Sequence, residues 1–193
     1  MKKLITICLV YCAVVLLANS TYAVNFTEVH PWYPPGSGSA HNLSDEYSAY
    51  GLSFDHVYWY FDNRDPWDDM GIANGLVEQS YLSNIQGKVD FSAPTTESGI
   101  TFDWWTIGSS ILNMQAYNSN GNLVGSFLSP TGSDLHSTDT ISGSIAYFTF
   151  KGSIGGYVQI STLNYTLVPV PEPATMCLLG LGGIGLLRRK RSM

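Results

Sequence analysis

The chain has 193 residues, and its charged residues are distributed unevenly along it. Residues 24–169 contain 14 acidic and 3 basic residues, a net charge of −11, and the remaining basic residues lie close to the two ends. This balance argues against a nucleic-acid partner and against an anionic membrane surface, because both are bound through clustered Lys and Arg. A stretch of this length is a usual size for one domain with one core.

The N-terminal residues have the three-part layout of a secretory signal peptide. Two lysines precede an apolar run over residues 4–18, and a small-polar stretch follows at 19–23. The small residue Ala23 suits cleavage before Val24, which predicts a signal peptide over residues 1–23. The alternative is an N-terminal membrane helix, but the apolar run is shorter than the ~20 residues that a membrane span needs.

The central part of the chain is predicted to be all-β. Residues 24–42, which combine prolines with a Gly-Ser stretch, are expected to form an extended arm. Between 43 and 168 no stretch sustains the apolar spacing of an amphipathic helix, and the one short helical candidate runs from Ser44, a possible cap, to Tyr50. Segments rich in aromatic and β-branched residues alternate with Gly, Asn, Ser and Pro. The predicted strands are 53–61, 87–91, 100–107, 111–117, 123–128, 141–150 and 157–167.

Two local patterns make the strand assignment testable. The dipeptide Asn120-Gly121 accepts positive φ, which predicts a two-residue hairpin turn between antiparallel neighbours. In the last strand the apolar residues change parity after Ile160, and a bulge near Ser161-Thr162 would return them to one face. Strands and turns at this spacing predict two packed antiparallel sheets over residues 43–168, a β-sandwich or jelly roll.

The densest group of acids is a candidate calcium site. Calcium takes six to eight oxygen ligands, and acids at intervals of three can turn several carboxylates inward. The simpler alternative is a solvated acidic loop in which Arg64 offsets part of the repulsion. The candidate metal ligands are Asp62, Asp65, Asp68 and Asp69.

Aromatic residues are the second candidate feature. Consecutive residues of a strand point to opposite faces, so at least one ring in residues 58–61 and one in the Trp104-Trp105 pair should lie outside the core. Exposed rings suit stacking on sugar faces, although a second sheet or an edge strand could also cover them. The candidate ligand-binding residues are Trp59, Trp67 and Trp104.

The residues give little support to catalysis. All three cysteines lie outside residues 24–169, which leaves no disulfide framework, Cys-ligated zinc or cysteine nucleophile there. The nucleophile-elbow, phosphate-loop and zinc-protease motifs are absent from the sequence. Asp55, Asp90 and Asp103 could supply a glycosidase acid and base, but any acidic sandwich offers such pairs. We therefore predict a protein that is not an enzyme and needs no catalytic residue.

The C-terminal residues combine a proline-rich linker, an apolar run and a basic end. The alternating prolines from Pro169 to Pro173 favour an extended chain. Residues 174–187 would form a helix of about 21 Å, which is shorter than a ~30 Å hydrocarbon core. Basic residues after it would stay on the cytoplasmic side of a membrane. These membrane-stop residues are Arg188, Arg189, Lys190 and Arg191.

Residues 169–193 resemble the C-terminus of PEP-CTERM exported bacterial proteins. The resemblance lies in the sequence Val-Pro-Glu-Pro-Ala-Thr, followed by a short Leu/Gly segment of expected helix and an Arg-rich end. The resemblance implies a Gram-negative, exopolysaccharide-producing bacterium and an exosortase that recognises Pro171, Glu172 and Pro173. The central region also looks like the β-sandwich often found ahead of such a tail, at residues 43–54, 116–124 and 161–165.

Together these patterns predict an exported β-sandwich at the cell surface or in the exopolysaccharide matrix, with a structural or binding role. Its expected partners are the exosortase and the inner membrane, both transiently, and exopolysaccharide, but no nucleic acid. There are two alternatives. One is an adhesion module that depends on carbohydrate or calcium (Ca2+), and the other is a polysaccharide-acting enzyme.

Overall fold

A computed structural model describes residues 19–26, 40–62, 69–74, 86–108, 110–132, 135–153 and 156–169. Thr21–Val168 form one compact unit. In the described residues, helical structure is limited to one 3₁₀ turn at Ser48–Tyr50. The strands are β1 (Ser20–Asn25), β2 (Ala40–Asn42), β3 (Leu52–Asp55), β4 (Tyr58–Asp62), β5 (Asp69–Asn74), β6 (Gly87–Phe91), β7 (Thr95–Gly108), β8 (Asn113–Tyr117), β9 (Leu123–Leu128), β10 (Leu135–Ile141), β11 (Tyr147–Lys151) and β12 (Gly156–Leu167).

The strands form two antiparallel sheets. The larger sheet has the order β10-β7-β12-β5-β4-β2, and β1 pairs with a further part of β12. The smaller sheet has the order β3-β6-β11-β8-β9. One hydrophobic core contains residues from both sheets. The predicted all-β, antiparallel sandwich is therefore confirmed.

The core is built from alternate residues of facing strands. Phe148 and Phe150 of the smaller sheet are fully buried, as is Phe102 of the larger sheet. Phe127 connects the two layers, since its ring centroid lies 5.4 Å from those of both Phe102 and Trp104. Burial of each large apolar side chain contributes about 1.5–3 kcal/mol, so this aromatic core is a major source of stability.

The predicted bulge in the last strand is confirmed. The register between β12 and β7 shifts between Ile160 and Thr162, which leaves Ser161 as the extra residue. Val158 and Ile160 before the bulge are buried, and so are Leu163, Tyr165 and Leu167 after it. The bulge therefore keeps one apolar face along a strand whose sequence changes parity.

The predicted hairpin is also confirmed, but its loop is longer than two residues. β8 and β9 are antiparallel neighbours joined by residues 118–122. Gly121 has φ 77°, and its N–H donates to the carbonyl oxygen of Asn118 at 2.9 Å. The side-chain oxygen of Asn118 accepts the N–H groups of Asn120 and Asn122 at 3.0 Å each, which closes the loop from within.

Two strand predictions were wrong. Residues 53–61 form two strands in different sheets, and the chain leaves one sheet for the other at His56, whose φ is 53°. Residues 141–150 include the end of β10, a connection and β11 rather than one strand. The helical candidate was also too long, because Tyr47 and not Ser44 precedes the 3₁₀ turn.

Four strands were not predicted: β1, β2, β5 and β10. β1 lies where the sequence suggested the end of a signal peptide and the start of an extended arm. Val24 in β1 is 2% exposed and belongs to the core. Phe26, the first residue after the strand, is 0% exposed and belongs to it as well. Residues 27–39, the rest of the predicted arm, lie outside the described residues.

Three tyrosines join β1, the 3₁₀ turn and β12. The ring centroid of Tyr165 lies 5.3 Å from that of Tyr22, which lies 6.3 Å from that of Tyr50. The Tyr165 hydroxyl donates a 2.6 Å hydrogen bond to the carbonyl oxygen of Tyr50. Burial, followed by the charges that Tyr22 and Tyr50 would carry, raises the pKa of Tyr165 well above its ordinary value.

Substitution of Gly99 should be far more costly than substitution of Gly121. Both have positive φ, 75° and 77°, but a Cβ at Gly99 would lie 1.9 Å from the Ile141 carbonyl oxygen. At Gly121 the nearest atom is the Tyr147 hydroxyl oxygen at 3.9 Å. Urea unfolding should give a loss of about 1–2 kcal/mol for Gly121→Ala and about 3 kcal/mol or more for Gly99→Ala. Equal losses would contradict this packing of β7 against β10.

Tyr165 should make the folded protein sensitive to high pH. The unfolded chain ionises Tyr165 near pH 10, whereas the folded chain holds the proton, so the free energy of unfolding should fall as pH rises above about 10. Tyr165→Phe should cost about 1 kcal/mol at neutral pH and reduce the alkaline slope. Urea unfolding at a series of pH values measures both, and an unchanged slope in the variant would contradict the buried hydroxyl.

Candidate functional site

The outer surface of the smaller sheet carries a compact group of aromatic and polar side chains. On β6, β8 and β11 the residues that alternate with the core residues point away from the core. In the register, Tyr147 lies opposite Asp90 and Tyr117, and Thr149 lies opposite Lys88 and Gln115. We call this surface the tyrosine face: Lys88, Asp90, Gln115, Tyr117, Tyr147 and Thr149.

Two stacked rings form the centre of the tyrosine face. The ring centroids of Tyr117 and Tyr147 are 4.9 Å apart and the rings are nearly parallel, at 14°. The Tyr117 hydroxyl donates to the Gln115 side-chain oxygen at 2.9 Å. Leu123, opposite Tyr117 on β9, is 55% exposed and adds an apolar side chain beside the ring pair. The result is a rigid, half-buried ring pair next to hydrogen-bonding groups.

An ion pair flanks the ring stack. Lys88 Nζ lies 4.5 Å from the centroid of the Tyr147 ring and 2.6 Å from Asp90 Oδ1. Both side chains are more than a third exposed, at 38% and 37%, so solvent screens the pair and its contribution to stability is small. Its main effect is to hold one donor and one acceptor beside the rings.

Thr149 places a polar atom beneath this surface. Its hydroxyl oxygen is buried and has no hydrogen-bond partner within the described residues. A buried hydroxyl without a hydrogen bond lowers the stability of the fold by about 1–3 kcal/mol. Val has nearly the same shape as Thr and would carry no such cost at this position.

A groove of about 570 Å³ continues the tyrosine face toward the other end of β8 and β11. Asn113 and Lys151 share the strand parity of Gln115 and Thr149, so the groove opens on the same side of the sheet. Leu128, which is 66% exposed, gives the groove an apolar wall. Its lining residues are Gln86, Ile111, Asn113, Leu128, Lys151, Gly152 and Ser153.

The outer surface of the larger sheet carries a second aromatic pair. Trp105 stacks on His136, with ring centroids 4.4 Å apart and an angle of 27°. Nearby, the Asp103 carboxylate accepts short hydrogen bonds from the hydroxyls of Thr138 and Thr162. These bonds tie β7 to both neighbouring strands, so Asp103 has a structural role here.

The prediction that Trp104 lies on a ligand-binding surface was wrong. Trp104 is 2% exposed, and its indole N–H donates to Asp139 Oδ2 at 2.7 Å. Because neighbours on a strand face opposite ways, Trp105 takes the half-buried outer position. The expectation that one ring of this pair lies outside the core is therefore confirmed for the other tryptophan.

The remaining predicted ligands fall largely outside the described side chains. Trp59 lies on β4, but only its backbone is described, and Trp67 lies outside the described residues. Asp62 and Asp69 face each other in the β4–β5 register, while Asp65 and Asp68 lie outside. Within the described residues no three His, Cys, Asp or Glu side chains cluster as metal ligands.

The three acids considered for catalysis lie on two different surfaces. Asp103 lies on the outer surface of the larger sheet, whereas Asp90 lies on the tyrosine face of the smaller one. Asp55 shares that outer face with Asp90, because it lies opposite Lys88 on the neighbouring strand. Asp55 is paired with His56, and Asp90 is paired with Lys88.

Sequence patterns missed the tyrosine face, although one signal for it was present. In the sequence Met114-Gln115-Ala116-Tyr117 the apolar residues Met114 and Ala116 define the inner face, which places Gln115 and Tyr117 outside. Tyr147 occupies an outward-facing position of β11 in the same way. The sequence did not reveal this, because residues 141–150 were predicted to form one strand with Ile141 and Tyr147 on the same face.

The sorting-motif residues Pro171, Glu172 and Pro173 lie outside the described residues, as do the basic residues Arg188, Arg189, Lys190 and Arg191. In the part of the chain that is described, no helix has the length and apolar character needed to cross a bilayer.

Several solved structures resemble this chain at low identity. A mutant of a family 29 carbohydrate-binding module is 10% identical, with a TM-score of 0.34 over 76% of this chain and 92% of the other. A family 28 carbohydrate-binding module, described as specific for non-crystalline cellulose, is 10% identical, with a TM-score of 0.36 over 69% and 99%. A cleaved adhesin domain of Lys-gingipain from Porphyromonas gingivalis is 9% identical, with a TM-score of 0.34 over 76% and 97%.

No curated protein matches this chain. The family model of the PEP-CTERM protein-sorting motif matches residues 169–191, which include the Pro-Glu-Pro sequence and the basic residues after the apolar run. The chain therefore carries a PEP-CTERM protein-sorting motif.

Proposed function

We propose that this protein is exported, sorted to the cell surface or polysaccharide matrix by an exosortase, and acts there as a non-catalytic polysaccharide-binding module. The sorting motif at residues 169–191 supports delivery. The observation that carries the binding role is the stacked Tyr117–Tyr147 pair on an outer sheet surface, flanked by the Lys88–Asp90 ion pair.

The physical properties of the tail suit transient membrane contact. If the apolar run at 174–187 were helical, it would be about 21 Å long, less than a ~30 Å hydrocarbon core, and would anchor weakly. The four basic residues at 188–191 resist transfer across the membrane and hold that end on the cytoplasmic side. The Pro-Glu-Pro sequence then lies on the outer side, where a membrane protease-transpeptidase reaches it.

The tyrosine face suits a polysaccharide because it combines the two kinds of contact that a sugar ring needs. The C–H groups of a pyranose pack on aromatic surface, here the parts of the Tyr117 and Tyr147 rings that their mutual stack and Lys88 leave exposed. Hydroxyl groups at the ring edge need donors and acceptors, which Lys88, Asp90 and Gln115 supply. The groove beside Asn113 and Lys151 extends this surface, so consecutive sugar units can lie along β8 and β11.

The charge of the domain favours an uncharged polysaccharide. Residues 24–169 carry a net charge of −11, which repels a polyanion at long range. On the tyrosine face Lys88 is already paired with Asp90, so its charge is largely balanced. A neutral chain meets no such repulsion and still forms the ring and hydrogen-bond contacts.

Removal of the ring pair should abolish most of the binding. We expect Tyr117→Ala and Tyr147→Ala each to weaken binding at least about tenfold, which corresponds to about 1.4 kcal/mol. Affinity electrophoresis of the exported protein in gels containing neutral β-glucan, mannan or galactan measures this change. Trp105→Ala, which removes the ring pair of the opposite surface, serves as the matched control and should bind like the unmodified protein.

Melting temperatures of all three variants distinguish lost contacts from lost folding. A loss of retardation confined to Trp105→Ala would place binding on the larger sheet and contradict the tyrosine face. No retardation in any neutral polysaccharide would contradict polysaccharide binding as proposed. Repeating the gels with calcium and with a chelator tests the calcium-dependent alternative, which predicts retardation only with calcium.

The sorting step should depend on the Pro-Glu-Pro sequence. In a host that has an exosortase, Glu172→Ala should leave the full-length chain in the inner-membrane fraction, whereas the unmodified chain should lose or exchange its tail. Intact mass and cell fractionation measure both outcomes. Glu97→Ala, at an exposed acid of the sandwich, is the control and should be processed normally. An unmodified chain that stays full-length in the membrane would contradict the sorting proposal.

A further inference from the structure

The first strand of the sandwich begins before the signal-peptide cleavage site that the sequence suggests. β1 spans Ser20–Asn25, and the compact unit begins at Thr21. Its residues alternate along the strand: Tyr22 and Val24 face the core, whereas Thr21 and Ala23 are exposed. Cleavage before Val24 would therefore cut through the middle of a core strand.

Two hydrogen bonds join the two ends of the β1 segment to β12. The N–H of Phe26, just after the strand, donates to the carbonyl oxygen of Ser161 at 2.8 Å. Near the other end, the hydroxyls of Thr21 and Thr166 are 3.1 Å apart. The two residue numbers add up to the same total in both pairs, as expected for one antiparallel register of β1 against the second half of β12.

The two candidate N-termini differ in where they place a charge. A chain that begins at Val24 places its α-ammonium group on a residue whose side chain packs in the core, in the middle of the segment that forms β1. Burial of a charge without a partner is costly. A chain that begins at Thr21 carries the same charge on an exposed residue, where water solvates it.

Residues 21–23 of β1 also contribute packing. Tyr22 is half-buried against the core. Its ring centroid lies 5.3 Å from that of Tyr165 and 6.3 Å from that of Tyr50. A chain that begins at Val24 lacks the Tyr22 ring. The side of the Tyr165 ring that Tyr22 covers would then be exposed to solvent. The hydrogen bond between Thr21 and Thr166 is lost as well.

The sequence just before Thr21 meets the requirement for signal-peptide cleavage. A signal peptidase needs small residues one and three positions before the bond that it cuts. Ser20 and Ala18 occupy these positions.

We propose that the mature protein begins at Thr21, because a signal peptidase hydrolyses the Ser20–Thr21 peptide bond. Water adds across that bond, which leaves a carboxylate on Ser20 and an α-ammonium group on Thr21. This inference rests on the export proposed above and corrects the cleavage before Val24. The retained residues 21–23 keep β1 whole except for its exposed first residue, Ser20, and they keep the ring of Tyr22 against Tyr50 and Tyr165.

The N-terminus of the exported chain tests the proposal directly. Full-length protein is expressed in a bacterium with a general secretion pathway, and the exported product is characterised by N-terminal sequencing and intact mass. The expected first residue is Thr21. An exported chain that begins at Val24, or at any other residue, overturns the proposal. A chain that keeps residues 1–20 inside the cell contradicts export itself, which is a different result.

Two substitutions locate the bond independently. A large residue just before the scissile bond blocks a signal peptidase, so Ser20→Leu should yield no product that begins at Thr21. Ala23→Leu, on an exposed position of β1, should still yield Thr21 as the first residue. Loss of processing in Ala23→Leu alone would overturn the proposal.

A deletion tests the structural reason for this site. Removal of residues 21–23 from the full-length chain keeps Ala18 and Ser20 and makes Val24 the first mature residue. Without Tyr22, the melting temperature of the exported product should fall by about 5 °C or more. Thr21→Ala, which removes only an exposed hydroxyl, is the control and should melt close to the unmodified protein. Equal melting temperatures for all three proteins would contradict the role assigned to β1.

Discussion

The fold depends on one strand, β12, and on the bulge at Ser161 within it. β12 pairs with β7 along most of its length, with β5 over Val158–Ile160 and with β1 beyond the bulge. Without the bulge, Leu163, Tyr165 and Leu167 would point to the outer surface while Val158 and Ile160 faced the core. Three large side chains would then lose their burial, at about 1.5–3 kcal/mol each, and the larger sheet would lose its central apolar face.

The same alternation that builds the core determines what the outer surfaces display. A strand with a large residue inside still has a side chain outside at every second position, and this chain places aromatic rings at several of those positions. The two outer surfaces differ in character. Asp103 on the larger sheet is satisfied by Thr138 and Thr162, whereas the tyrosine face combines stacked rings, a solvated ion pair and a neighbouring groove. Among the side chains that the structure describes, the smaller sheet therefore carries the larger combination of aromatic and hydrogen-bonding groups.

Much of the fold could be predicted from the sequence where local pattern and tertiary role agree. Strands β6 and β9 were predicted to the residue, and the bulge followed from the parity of apolar residues alone. Prediction failed where the sequence has no turn signal but the structure changes, as at His56, where a segment without Gly, Pro or Asn passes from one sheet to the other. It also missed β10, an edge strand whose Ser, Thr and His residues give it no apolar alternation.

The candidate site was less predictable than the fold, for a physical reason. Parity shows that Trp104 and Trp105 face opposite ways, but only the packing partner decides which one is buried. Phe127, from the other sheet, contacts Trp104, and this long-range contact leaves Trp105 outside. The tyrosine face likewise depends on strands β6, β8 and β11 being neighbours, an order that no local pattern contains.

The two ends of the compact unit respond differently to the loss of their flanking segments. At the C-terminal end, the Val168 N–H donates to the carbonyl oxygen of Pro94 at 2.8 Å, and Pro169 has no N–H with which to continue the pairing. The last core residue, Leu167, precedes this stop, so removal of the sorting motif takes no described hydrogen bond from the sandwich. At the N-terminal end β1 packs against the core through Tyr22 and Val24, so a cut before Val24 would remove Tyr22. If both ends are processed as proposed, Pro169 allows the tail to be removed without loss from the sandwich, whereas the N-terminal cut decides how much of β1 remains.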